Sequence, residues 1–112
     1  MRVISQDGTI DVPYDYFSLS LASGKYEDVE VAYIYCHNLS SPNGTKLAEY
    51  STKAKAIKAM EMLREHNEGV IFLKTIINTE KCTPFIRNLS KTDFDKLTQN
   101  YFQFPQDDEI EV

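Results

Sequence analysis

Hydrophobic and polar positions alternate with period two through the first fifty residues and with period three to four through the middle of the chain. The first pattern marks half-buried strands, the second an amphipathic helix. Val3-Ile4-Ser5 and Thr9-Ile10-Asp11-Val12 flank Gln6-Asp7-Gly8. Asp-Gly supplies the positive φ of a tight turn and Pro13 ends the second arm, so this segment predicts a β-hairpin. Phe17, Leu19 and Leu21 alternate with serines as a half-buried strand, turned by Ser23-Gly24-Lys25. The longest strand is predicted over 29–37, with Val29, Val31, Tyr33, Tyr35 and His37 on one face and Glu30, Ala32, Ile34 and Cys36 on the other. A loop over 38–45, containing Ser-Pro-Asn-Gly, leads to a strand over 46–50 that returns antiparallel.

Ser51 or Thr52 is a suitable N-cap for a helix over 53–67, a stretch free of glycine, proline and β-branched runs. Ala56, Ile57, Met60 and Leu63 make its buried stripe. Gly69 is read as its close, and 70–77 as another strand, rich in β-branched and aromatic residues. Residues 79–88 predict a loop and Ser90 a shorter helix to about Tyr101, burying Phe94 and Leu97. Phe102-Gln103-Phe104 predicts a last strand. The sum is an α+β fold: a mostly antiparallel sheet of five to six strands, one main helix packed on a face and a short second helix near the C-terminus. One domain over 1–105 and an acidic C-terminal tail over 106–112 account for the 112 residues.

Charge changes this picture in one respect. The net charge of −5 divides into −4 over the first fifty residues, +3 over the next fifty and −4 over the last twelve. Phosphate binding needs a concentrated positive face, so direct nucleic-acid contact is disfavoured and a basic protein surface is the favoured partner. The apolar runs are too short to span a bilayer. The opening residues lack an apolar signal core, which predicts a cytoplasmic protein. In the helix, Lys53, Lys55 and Lys58 precede Glu61, Glu65 and Glu68. That order opposes the helix dipole and suggests that the lysines serve the acidic tail or a partner.

Candidate chemistry is thin. Cys36, His37, His66 and Cys82 are the soft or borderline metal ligands, but they lack zinc-site spacing, and adjacent Cys36 and His37 point to opposite faces of a strand. No catalytic signature surrounds Cys82 and no glycine-rich phosphate loop is present, so neither an enzyme nor a cofactor is predicted. The tyrosines stand out instead. Tyr14 and Tyr16 flank Asp15, and Tyr26 precedes Glu27, Asp28 and Glu30. Tyrosine beside carboxylate suits arginine- and lysine-rich partners through ion pairs and cation–π contact. Tyr33, Tyr35 and Tyr50 are read as lining the sheet. With Asp107, Asp108, Glu109 and Glu111 of the tail, these two clusters are the candidate partner-binding residues.

Three segments carry a resemblance: 1–14 (Met-Arg-Val-Ile-Ser-Gln-Asp-Gly-Thr-Ile-Asp-Val-Pro-Tyr), the central stretch from Tyr50-Ser51-Thr52 to Lys58-Ala59-Met60-Glu61-Met62-Leu63-Arg64, and Phe102-Gln103-Phe104-Pro105-Gln106-Asp107-Asp108-Glu109. Together they resemble small proteins carried by prophages and mobile elements of Gram-positive bacteria. The resemblance implies a non-enzymatic inhibitor of host defence, most concretely an anti-CRISPR protein that blocks DNA loading by a type II RNA-guided nuclease. Such nucleases hold nucleic acid in a basic channel. The second reading is a phage-encoded adaptor or assembly module that associates through an exposed sheet edge.

Overall fold

The structure, a computed structural model, describes residues 1–38, 41–76 and 100–112, the side chains of 41–42 and 73–76 excepted. It is α+β, with one main helix and, among the described residues, two three-stranded sheets in place of one larger sheet. The larger sheet is a meander of β3 (Ser18–Tyr26), β4 (Val29–Asn38) and β5 (Ser41–Tyr50). The smaller has β1 (Arg2–Ile4) at its centre, antiparallel to β2 (Asp11–Pro13) and parallel to β6 (Tyr101–Gln103). Gln6 ties the two together. Its N–H donates to the Leu47 carbonyl at 2.8 Å, and its Oε1 accepts from the Glu49 N–H at 3.0 Å. The edge of β5 is thereby covered.

The β1–β2 hairpin forms as its pattern predicts. Gly8 takes φ +78, and the Asp7 carboxylate accepts from Ser5 Oγ, Thr9 N–H and Thr9 Oγ1. Those bonds hold Asp7 at a pKa of about 2.

The β3–β4 turn lies elsewhere than predicted. β3 runs through Ser23, Gly24 and Lys25 to Tyr26, and the two-residue turn is Glu27-Asp28, both with positive φ. Register explains the choice. Pairing Tyr26 with Val29 sets Leu19 opposite Cys36 and Leu21 opposite Ile34, on one apolar face. A three-residue turn at 23–25 would flip both leucines onto the tyrosine face. Residues 41–45, expected as loop, belong to β5, where Gly44 at φ +83 and register shifts against β4 absorb the irregularity.

The helix α1 (Lys53–Ile76) packs across the apolar face of the larger sheet. Ala56 and Ala59 are fully buried against a sheet face that itself carries buried Ala32 and Ala48, so the backbones come close. Gly69 does not end the helix, and 70–76 is helical where a strand was expected. Val70, seven residues after Leu63, continues the buried stripe, and that burial outweighs the roughly 1 kcal/mol cost of an internal glycine. The predicted loop over 79–88 and all but the end of the predicted second helix fall outside the described residues; Tyr101 already belongs to β6. No described helix is long and apolar enough to cross a membrane.

The core joins both sheets and the helix through Val3, Val12, Ile34, Leu47, Tyr50, Leu63, Phe104 and Ile110. The end of the chain is part of it. Ile110 is 4% exposed, and a single 3-10 turn over Asp107–Glu109 lies against the start of α1.

Candidate partner-binding surfaces

The carboxylates singled out in the sequence divide into those the fold consumes and those it leaves at the surface. Asp107 is consumed. Its Oδ1 accepts from the Ser51 N–H at 2.7 Å, and its Oδ2 accepts from Ser51 Oγ at 3.0 Å and Lys55 Nζ at 3.2 Å. The Ser51 amide, then its hydroxyl and Lys55, hold the Asp107 carboxyl below its usual range. Glu30 is consumed at the same place, accepting from the Lys53 N–H at 2.9 Å. Thr52 Oγ1 caps locally, accepting from the Lys55 N–H at 3.1 Å. The inverted charge order of α1 is thus answered from outside the helix: two carboxylates from β4 and the chain end sit at its positive pole. Lys55 serves the chain end, as its position suggested. Glu109 turns inward along its own loop to accept from the Gln106 N–H at 2.9 Å.

Asp108 and Glu111 remain exposed, as do Asp15, Tyr16, Tyr26, Glu27 and Asp28 of the two tyrosine-flanked clusters. The first cluster is the single 3-10 turn Tyr14–Tyr16 ahead of β3. Tyr14 is half-buried against the core, while Tyr16 is 80% exposed. Asp15 opens onto a 310 Å³ cleft, lined also by Tyr14, Phe17, Leu19, Met60, Leu63 and Arg64. Sequence reasoning missed this cleft. Met60 and Leu63 belong to the helix stripe, and nothing local indicates that they line a cleft with Asp15.

The second cluster is the β3–β4 hairpin tip. Tyr26 and Val29 face each other across the turn, 74% and 66% exposed, with Glu27 and Asp28 between them at φ +50 and +65. Two side-chain-bearing residues in the left-handed region are a poor local choice, since such turns favour Asn-Gly. The double change Glu27→Asn with Asp28→Gly is therefore expected to raise stability by about 1 kcal/mol, read as an increase in the thermal midpoint.

The outer face of the larger sheet carries Tyr33, Tyr35 and His37 in a column, with ring centroids 6.0 and 6.4 Å apart. Lys46 Nζ lies 5.4 Å from the Tyr33 ring centroid. Tyr33 and Tyr35 line the sheet as expected, but on its half-exposed side, whereas Tyr50 is buried.

Of the soft ligands, Cys36 is buried on the helix side, where burial pushes its thiol pKa up. His37 projects from the other face, its Nε2 within 2.5 Å of Ser20 Oγ. His66 stands beside the Phe102 ring at 6.0 Å, and Cys82 lies outside the described residues. Among the described residues no group of three or more such side chains can hold a metal ion. No protein-family model, curated protein or solved structure matches the chain.

Proposed function

We propose that this protein is a non-enzymatic binding module whose acidic, tyrosine-bearing surface occupies a basic surface on a partner protein. The partner of most concrete interest is a type II RNA-guided nuclease, with DNA loading the step that is blocked. The observation that carries the reading is the hairpin tip. Its two carboxylates lie between the exposed side chains of Tyr26 and Val29, on a two-residue turn whose place the β3–β4 register sets. A tip of this chemistry competes with phosphate for arginine and lysine, adding cation–π contact through Tyr26. The end of the chain contributes less than its charge suggests, because Asp107 and Glu109 are engaged within the molecule. Asp15 with Tyr16, and Asp108 with Glu111, complete the contact surface.

The test is a DNA-cleavage assay with a guide-loaded type II nuclease, adding the protein before or after target DNA. Inhibition is expected when the protein is added first, with Glu27→Lys/Asp28→Lys raising the half-inhibitory concentration about tenfold or more. Full cleavage at large molar excess, or unchanged potency of the reversed tip, would overturn the reading.

A further inference from the structure

We propose that two copies of this chain pair antiparallel through β3, with Ala22 on the two-fold axis, to form a six-stranded sheet across the dimer. β3 is an edge strand, and among the described residues no strand pairs with its outer side. Natural edges are blunted by proline, bulges, short length or charges. β3 has no proline and no bulge: it is nine residues long, pairs with β4 without a register shift, and bears a single charge, Lys25. The opposite edge, β5, is by contrast both bulged and covered by Gln6.

Charge selects a second copy as the occupant. By strand alternation Lys25 shares the helix-side face with Leu19 and Leu21. Centring the pair on Ala22 sets Lys25 opposite the partner's Leu19, which lines the cleft together with Asp15. The ammonium then reaches the partner's Asp15, and symmetry makes the contact twice. Among the described residues the ion pairs within 4 Å are Arg2–Asp11 and Lys55–Asp107, and Lys25 faces Glu30 across the β3–β4 ladder. On the outer face Ala22 meets the partner's Ala22, Ser20 meets the partner's Gly24, and Tyr26 meets the partner's Ser18.

The pairing has a consequence for recognition. Within one chain the Tyr16 and Tyr26 clusters stand at opposite ends of β3, roughly 26 Å apart at about 3.3 Å per residue. Across the two-fold, the tip of one copy meets the Tyr14–Tyr16 turn of the other. Tyr16 and Tyr26 then share one surface, present twice, whose carboxylates are Glu27 and Asp28 while Asp15 is held by Lys25. The dimer itself stands on the edge strand; only the use of this joined surface rests on the function proposed above.

Sedimentation velocity over a wide concentration series, with no nuclease present, reads the dimer separately from inhibition. A monomer–dimer equilibrium is expected for the native chain. Ala22→Lys, at an exposed position that the monomer tolerates, opposes two ammonium groups and is expected to leave only monomer. Lys25→Glu is expected to weaken the dimer about tenfold, and Asp15→Lys added to it to restore the affinity. In a Cys82→Ser background, Ala22→Cys is expected to cross-link on mild oxidation and Ser18→Cys to remain uncoupled. A chain that stays monomeric throughout, an Ala22→Lys variant that dimerises normally, or equal cross-linking at 18 and 22 would each overturn the proposal.

Discussion

Tyr50→Ala is expected to cost about 3–5 kcal/mol, enough to leave much of the chain unfolded under mild conditions. Tyr50 is 1% exposed and sits where β5 leaves the sheet for the helix, packed in the cluster that joins both sheets. Its hydroxyl donates to the Pro105 carbonyl at 2.8 Å, anchoring the segment that follows β6. Tyr50→Phe separates the ring from the hydroxyl. Because Gln6 Nε2 also donates to that carbonyl at 3.1 Å, its loss leaves no orphaned acceptor, and about 1 kcal/mol is expected. Urea denaturation of the three proteins checks both values. Burial, with Asp107 and Glu109 adding to it, pushes the Tyr50 phenol far above its ordinary value. A raised folded pKa means that the stabilisation is complete below about 10 and is lost as pH rises from there. The native protein is therefore expected to lose stability on the alkaline side faster than Tyr50→Phe.

How much of this was legible in the sequence depended on whether the deciding contact was local. The Asp7-Gly8 hairpin, the length of β4 with its two faces, and the start of α1 at Ser51-Thr52 all follow from nearby residues, and all were read. The ends of elements were not. Gly69 and the β-branched residues after it argue locally for a stop, but Val70 finds a buried position one heptad beyond Leu63. Ser23-Gly24-Lys25 argues for a turn, but the register that packs Leu19 and Leu21 against the core requires it at Glu27-Asp28. The arrangement of the two sheets depends on Gln6 joining them at Leu47 and Glu49 and on β6 lying parallel to β1, pairings about forty and a hundred residues apart. No local pattern encodes such separations. The candidate site was legible as composition, since tyrosine next to carboxylate marks both surface clusters. Which carboxylates stay free was not, because the α1 N-terminus that takes Glu30 and Asp107 draws them from distant segments.

That division is itself open to experiment at Asp107, where removal is expected to weaken the fold rather than recognition. Asp107→Ala deletes three charge-assisted bonds to Ser51 and Lys55 and a negative charge at the positive pole of α1. Partial exposure of the carboxylate tempers these contacts, so about 2 kcal/mol of stability is the expected loss. Asp107→Asn retains an acceptor for Ser51 but not the charge, and is expected to fall about midway. The acid branch of the stability profile carries the same signature. A depressed folded pKa stabilises fully above about 4, the ordinary carboxylate value, and the contribution is lost as pH falls through the lowered one. Denaturation midpoints between pH 5 and pH 2 are expected to drop less steeply in Asp107→Ala than in the native chain. Potency provides the contrast. Assayed cold, where the variant remains folded, Asp107→Ala is expected to inhibit its partner as well as the native protein does, while Glu27→Lys/Asp28→Lys is expected to keep its stability and lose its inhibition. Equal loss of potency in both would mean that Asp107 is itself a contact residue, and that its bonds to Ser51 and Lys55 open on binding.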